Sequence, residues 1–233
     1  MRGSILLLDG IHLIEAFTAA GGSIDHLVVS ESGLGRHEIG AWLEAHPDQA
    51  AFTLPDGMFG ELAATDTPSG IVAVAKAPAL PATPDLQADA VLLDGIQDPG
   101  NLGTLLRTAA AAGIRQALLG AGCADPWAPK TLRAGQGAQF ELSIHEGVDL
   151  AGFLVAYQGS SLVTRLSDAQ PLWEAPLDGP LAWIFGAEGQ GVSAAVAAAA
   201  DRAVFIPMPG RVESLNVAAA AAICLFEATR RRR

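Results

Sequence analysis

Asn101, Arg107, Glu188, Ser214 and Asn216 are the side chains whose types and spacing suit chemistry in this 233-residue chain. They fall in three short segments, each directly after an apolar run. The segments are Asp98-Pro99-Gly100-Asn101-Leu102-Gly103 through Arg107, Gly186-Ala187-Glu188-Gly189-Gln190-Gly191, and Ile206-Pro207-Met208 through Ser214-Leu215-Asn216. Polar turns repeated after strand-like runs suit a ligand site built along one edge of a sheet. Glycines at 186, 189 and 191 let the backbone approach a ligand, whose polar groups then meet N–H and C=O groups rather than side chains. Each segment also has a plainer reading. A glycine loop after a strand is a common turn, Asn101 suits a helix N-cap, and Ser214 suits a cap of the last helix with Asn216 in its first turn. Arg107 alone suits a solvated helix face, and Glu188 an exposed loop. The combination of all five polar positions is what points to a site.

The elements that would hold these segments read as an α/β domain. Apolar runs at Ala90 to Leu93, Ala117 to Leu119, Leu162 to Thr164, Leu181 to Phe185 and Ala203 to Ile206 alternate with helical stretches, the pattern of a largely parallel sheet. After Asn101, Leu102, Leu105, Leu106, Ala109 and Ala110 share one helical stripe, and Gly113 stands at its end. Arg107 lies roughly 140° from Leu102 at about 100° per residue, off that stripe and free to face a cleft. The last helix repeats the pattern with Val217, Ala220, Ala221, Cys224 and Leu225, and Arg230 to Arg233 stand where cations complement a helix C-terminus. Toward the N-terminus, Ile5 to Leu8 reads as a strand. Asp9 reads as the cap of a helix running to about Ala20, and Leu27 to Val29 and Ile71 to Ala75 as further strands. Pro78, Pro81 and Pro84 disfavour helix at the residues before them, so residues 77–84 read as a stiff linker between a first domain at 1–76 and a second at 85–233.

Half of the residues are hydrophobic, enough for a real core, and the apolar stretches are broken well short of the roughly 18 residues a membrane span needs. The N-terminus lacks the basic-then-apolar pattern of a signal peptide, so a cytoplasmic protein is expected. Cys123 and Cys224 lack metal or redox spacing and read as buried, reduced thiols. A net charge of −11 argues against holding nucleic acid by bulk electrostatics. The charge is uneven, however: residues 1 to 88 hold three basic and eleven acidic side chains, and residues 89 to 233 hold eleven basic and fourteen acidic. Any polyanion contact is expected in the second half, through a local basic patch.

With these segments in view, the sequence closely resembles the SpoU, or TrmH-like, branch of the SPOUT superfamily of RNA 2′-O-ribose methyltransferases. LDGIQDPGNLGTLLRTAAAAGI is similar to the family's first motif, WIFGAEGQGVS to its second and IPMPGRVESLNVAAAAAI to its third. The stretch from LLLDGIHLIEA to TPSGIVAVAK resembles the small L30e-like RNA substrate-binding domain that many members carry. The resemblance implies an α/β fold with a deep trefoil knot and S-adenosylmethionine as cofactor. Thr164, Gly186, Gly191, Ile206 and Leu215 would contact that cofactor, and Asn101, Arg107, Glu188, Ser214 and Asn216 would be the catalytic set. It implies ribosomal or transfer RNA as substrate, a homodimer and no metal; the apolar residues Leu225 and Phe226 of the last helix suit the dimer contact, or equally packing within one subunit.

Arg107 is the member that the resemblance assigns to hydroxyl activation. Guanidinium is essentially never deprotonated in proteins, so its expected work is to orient the hydroxyl and stabilise developing oxyanion charge, with Glu188 orienting Arg107 by a charge-assisted hydrogen bond. Arg133, Arg211 and the terminal arginines are the expected RNA contacts. The competing reading is a knotted RNA-binding or assembly factor without turnover. A nicotinamide oxidoreductase fits less well, because Asp98 to Gly103 lacks the GxGxxG spacing.

Overall fold

The computed structural model describes residues 5–62, 68–79 and 83–232, which form two sheets. Strands β1 (Ile5–Asp9), β2 (Ile24–Ser30), β3 (Ala51–Leu54) and β4 (Ile71–Lys76) make a four-stranded sheet in the order β1-β4-β2-β3. Helices α1 (Ile11–Ala19), α2 (Glu31–Leu34), α3 (His37–Ala45) and α4 (Asp56–Leu62) belong to the same part of the chain. Leu6, Leu8, Leu27, Val29, Ile71 and Ala73 share a core with Ile14 and Phe17 of α1 and Ile39 and Trp42 of α3. Asp9 does not cap α1. The chain turns through Gly10 at φ 113°, and the Asp9 carboxylate instead accepts hydrogen bonds from the Ser69 N–H and hydroxyl. Only glycine tolerates that φ easily, which leaves no side chain at the N-cap position.

The second sheet holds β5 (Ala90–Asp94), β6 (Gln116–Leu119), β7 (Ser143–Glu146), β8 (Ser160–Thr164), β9 (Gln170–Pro171), β10 (Leu181–Gly186) and β11 (Arg202–Phe205). Every pair in it is parallel, in the order β7-β6-β5-β10-β8-β11-β9. Such a sheet must be covered on both faces. Helices α5 (Pro99–Ala111) and α9 (Val217–Arg231) cover one, where Leu102, Leu105, Leu106, Cys224 and Leu225 pack with Leu93, Trp183 and Phe185. Helices α7 (Leu150–Ala156) and α8 (Ala194–Ala199) cover the other, where Leu150, Phe153 and Val196 meet Leu92, Leu118 and Ile184. Gly113, at φ 88°, ends α5 as its position suggests, and the Ile114 N–H reaches back to the Ala109 carbonyl.

The strands expected from apolar runs are all present, and β3, β7 and β9 are additional. They are short, and β3 and β9 bury no side chain, so no apolar run marks them. The linker residues Leu80 to Ala82 lie outside the described residues, as does Arg233. Helix α6 (Pro129–Gly135) bridges the two parts: Leu132 lies in the core of the first sheet, and Arg133 faces Asp9 at 3.9 Å. Phe140 stacks edge-on against Phe17 at 5.1 Å nearby.

One expectation about α9 is corrected here. Leu225 is 2 % exposed and belongs to the chain's own core, so of the two residues expected at a dimer contact only Phe226, 47 % exposed, faces outward. Among the described residues, Arg231 and Arg232 are bonded to the body of the chain. Arg231 donates to the carbonyls of Leu172, Trp173 and Ala175, and Arg232 pairs with Asp89 and donates to the Gly179 carbonyl. These bonds fasten the end of α9 to residues 172–175, to the turn before β10 and to Asp89, because guanidinium presents several donors in a fixed fork. Among the described residues no helix is long and apolar enough to cross a membrane.

Candidate active site

Strand order places the site. β10 is inserted between β5 and β8, so the carboxyl ends of β5 and β10 lie side by side, with Asp94 opposite Gly186. β6 and β7 extend the sheet to one side of this point and β8, β11 and β9 to the other, which opens a crevice beyond the strand ends. A cleft of about 200 Å³ occupies it, lined by residues 95–98, Asn101, Ala187, Glu188 and Val217.

Local sequence then aims the side chains. The N-cap of α5 is Asp98, whose carboxylate accepts from the Asn101 N–H at 2.7 Å, with Pro99 at the first helical position. Asn101 is therefore not the cap that one reading of it suggested, and its carboxamide is left for the cleft. At the other helix the roles are reversed: Asn216, rather than Ser214, caps α9. Its Oδ1 accepts from the N–H groups of Ala218 at 2.9 Å and Ala219 at 3.3 Å. That fixes the amide orientation and sends Nδ2 into the crevice. Nδ2 of Asn216 donates to Asn101 Oδ1 at 2.9 Å and to Glu188 Oε1 at 2.9 Å, and Asn101 Nδ2 donates to the same Oε1 at 2.8 Å. Three side chains from α5, α9 and the loop after β10 thus close a triangle. Both bonds to Glu188 have an ionised acceptor, which makes them stronger than bonds between neutral groups.

The triangle overturns one expected contact. Arg107 is exposed and, among the described residues, makes no hydrogen bond or ion pair, so Glu188 does not orient it. Six residues along α5 displace Arg107 from Asn101 by about 9 Å of helix rise. The same steps turn it to the face opposite Leu102, Leu105 and Leu106, while Glu188 Oε1 is already engaged by two amides. Ser214 is likewise exposed and without a hydrogen bond among the described residues.

The remaining predicted residues gather at the neighbouring strand ends. Gly186 ends β10, Thr164 ends β8 and Ile206 follows β11, three adjacent strands in the sheet. The Thr164 hydroxyl donates to the Ile184 carbonyl at 3.2 Å, Ile206 is half-buried, and Leu215 is 37 % exposed beside Asn216. A Cβ on Gly186 would stand 2.2 Å from the Gly191 carbonyl carbon, and Gly191 itself has φ 70°. The loop is thus folded back upon its own strand: Gly186 cannot be replaced without moving backbone, and a side chain at Gly191 would be strained by its positive φ. Arg211 is exposed on the segment before α9, whereas Arg133 sits at the junction with the first sheet. Sequence reasoning missed Gln97, which lines the cleft, and Asp94, whose partner is 99 residues away. Cys123, close by, donates to the Leu93 carbonyl, and burial pushes its thiol pKa up, which keeps it protonated.

A parallel sheet that carries a glycine loop and an amide–carboxylate triangle at its carboxyl edge defines an α/β protein with a ligand crevice at its switch point. The chain belongs to the SpoU rRNA Methylase family, whose profile matches residues 89–226. It is 32 % identical over 228 residues to the 23S rRNA (guanosine(2553)-2′-O)-methyltransferase RlmP of Bacillus subtilis, covering 97 % of this chain and 88 % of that protein. An uncharacterised tRNA/rRNA methyltransferase of Synechocystis is 36 % identical over 229 residues, with 97 % and 84 % covered. Among solved structures, an RNA 2′-O ribose methyltransferase superimposes with a TM-score of 0.86 at 30 % identity, covering 99 % of this chain and 90 % of that one. An AdoMet-bound rRNA methyltransferase from Sinorhizobium meliloti gives a TM-score of 0.80 at 27 % identity, with 97 % and 87 % covered.

Proposed function

We propose that the protein is an S-adenosylmethionine-dependent methyltransferase that modifies a ribose 2′-hydroxyl of ribosomal RNA. The observation that carries this reading is the triangle of Asn101, Glu188 and Asn216 standing directly against the glycine loop. It provides fixed polar groups where a hydroxyl must be placed and backbone where a cofactor must lie. The relatives named as 2′-O-methyltransferases of 23S rRNA support ribosomal RNA as the substrate. A binding-only factor is the poorer reading, because such a protein has no need of a satisfied amide–carboxylate triangle beside an open glycine loop.

The cofactor fits the residues present. The loop backbone is exposed from Glu188 to Gly191, and Thr164, Ile206 and Leu215 offer one hydroxyl and two apolar side chains near it, suited to a ligand that is part polar and part aliphatic. When bound, S-adenosylmethionine supplies an electrophilic methyl group on a sulfonium sulfur. The chain's own residues position the nucleophile and exclude water. The second N–H of Asn101 and the Oε2 of Glu188 remain available to hold the ribose. Arg107 stays charged throughout; it meets the RNA from the open face of α5, orients the hydroxyl and stabilises oxyanion charge. Ser214 and Arg211 reach the same RNA from the segment before α9, and Arg133 meets it at the junction between the sheets.

The same reading divides the chain into an L30e-like substrate-binding domain at 1–76, a linker at 77–84 and the methyltransferase domain at 85–233. The segment before α9 passes through a deep trefoil knot, and two copies pair through the outer face of α9. The knot rests on the family to which the chain belongs, and exposed Phe226 supports the pairing. The test is methyl transfer from labelled S-adenosylmethionine to 23S rRNA lacking the modification, followed by alkaline hydrolysis. A blocked 2′-oxygen leaves one internucleotide bond resistant to alkali. A base-methylated product, or none, would reject the reading.

A further inference from the structure

The loop from Gly186 to Ser193 carries glycines at 186, 189 and 191, with φ values of 83° at Gly189 and 70° at Gly191. Such a segment has little conformational preference of its own, because glycine loses the most backbone freedom on ordering. Three contacts nevertheless fold it. The Gly191 N–H donates to the Ala187 carbonyl at 2.9 Å, which closes a narrow hairpin. The returning limb lies directly on Gly186, where a Cβ would stand 2.3 Å from the Val192 nitrogen. Finally, the Ser193 N–H donates to Asp94 Oδ2 at 2.7 Å. Asp94 is the last residue of β5 and lies opposite Gly186 in the parallel register, so a strand of the rigid sheet reaches across its neighbour to grip the far end of the loop. The first contact lies within the loop and the second depends on an absent side chain. The third is a directional side-chain bond that, among the described residues, ties the returning limb to a neighbouring strand.

We infer that Asp94 is a positioning residue: its carboxylate clamps the returning limb of the Gly186–Ser193 loop and thereby fixes both the cofactor cradle and the placement of Glu188. This inference rests on the cofactor reading above. A charge-assisted bond from a carboxylate to a backbone N–H is among the stronger kinds, and it acts here on a segment that otherwise must be ordered when the ligand arrives. Glu188 projects from the same loop, so slack at Ser193 also loosens the triangle with Asn101 and Asn216.

Two variants of the full chain test it. Asp94→Ala removes the acceptor, and Asp94→Asn keeps a carbonyl oxygen at the same place. In the cofactor-free protein, Asp94→Ala should raise amide hydrogen exchange at residues 191–193 at least about tenfold, with Asp94→Asn close to wild type, as expected for loss of one charged hydrogen bond. S-adenosylhomocysteine affinity, read by calorimetry, should fall about tenfold in Asp94→Ala, and kcat should fall, while the KM for RNA moves less than about twofold. Asp94→Asn should recover most of both losses. Unchanged exchange in Asp94→Ala, equal damage in both variants, or a loss of RNA affinity parallel to that of the cofactor would overturn the clamp. Failure of the wild-type protein to bind S-adenosylhomocysteine would reject the cofactor reading instead, since the exchange measurement involves no cofactor.

Discussion

Asn216 has two tasks that a substitution can separate. Its Oδ1 caps α9 through the N–H groups of Ala218 and Ala219, and its Nδ2 holds Asn101 and Glu188. Replacing an N-cap Asn with Ala costs about 1 kcal/mol, within a range of roughly 0.5–2, whereas Ser caps as well as Asn. For a chain of this length about 1 kcal/mol moves the melting temperature by roughly 2–4 °C. Asn216→Ala should therefore melt a few degrees lower, and Asn216→Ser should melt within about 2 °C of wild type, since the hydroxyl replaces the cap and only exposed bonds are lost. Activity should follow the other task. Both variants lack the amide donors, leaving Glu188 Oε1 with Asn101 alone. Loss of one bond to a carboxylate is worth about 1.5–3 kcal/mol before screening by solvent, so methyl transfer should fall about 10- to 100-fold in each. Differential scanning calorimetry and single-turnover methylation of 23S rRNA read the two tasks separately. If Asn216→Ser regains full activity while Asn216→Ala does not, Asn216 acts only as a cap and the triangle has no part in the chemistry.

Arg107→Ala should leave melting and cofactor affinity nearly intact while lowering methyl transfer about 100-fold or more, because Arg107 makes no internal bond among the described residues. Arg107→Lys should rescue poorly for want of the planar fork, and full activity in the alanine variant would refute the role. Gly186→Ala should abolish S-adenosylhomocysteine binding in calorimetry, since its Cβ would overlap the Gly191 backbone; normal affinity would show that the loop can shift at no cost. Burial lowers the pKa of His145, which is 9 % exposed on β7, below the ordinary histidine value. The unfolded chain therefore takes up a proton that the fold resists. Urea stability should drop as pH falls below about 6.5, by up to about 1.4 kcal/mol per pH unit for this group, and His145→Gln should flatten that slope. Phe226→Asp should shift a dimer toward monomer in sedimentation without lowering methyl-site integrity as read by cofactor binding, and an unchanged sedimentation coefficient would move the pairing surface elsewhere.

Much of this protein was readable along the chain because parallel strands buried on both faces must be continuously apolar. Leu181 to Phe185 and Ala90 to Leu93 announce themselves for that reason, and the stripe of Leu102, Leu105, Leu106 and Ala109 fixes the buried face of α5. Gly113 marks its end because a positive φ favours glycine. The same reasoning put the glycine loop, Asn101 and Glu188 at one edge of the sheet, since turns after strands fall there. Which polar atoms meet was decided only in three dimensions. The Asn101–Glu188 bond spans 87 residues and the Asn216–Asn101 bond 115, and both exist because β10 inserts beside β5 while α9 packs against α5. No local signal distinguishes an Asn that caps a helix from one that is spared for a cleft. At α5 the cap went to Asp98, at α9 to Asn216, and Ser214 lost the competition to a residue two positions on. Short-range preference supplies several candidates of similar energy, and a long-range hydrogen bond selects among them. For the same reason Glu188 went to two amides rather than to Arg107, and Arg231 and Arg232 went to carbonyls and Asp89 rather than to solvent.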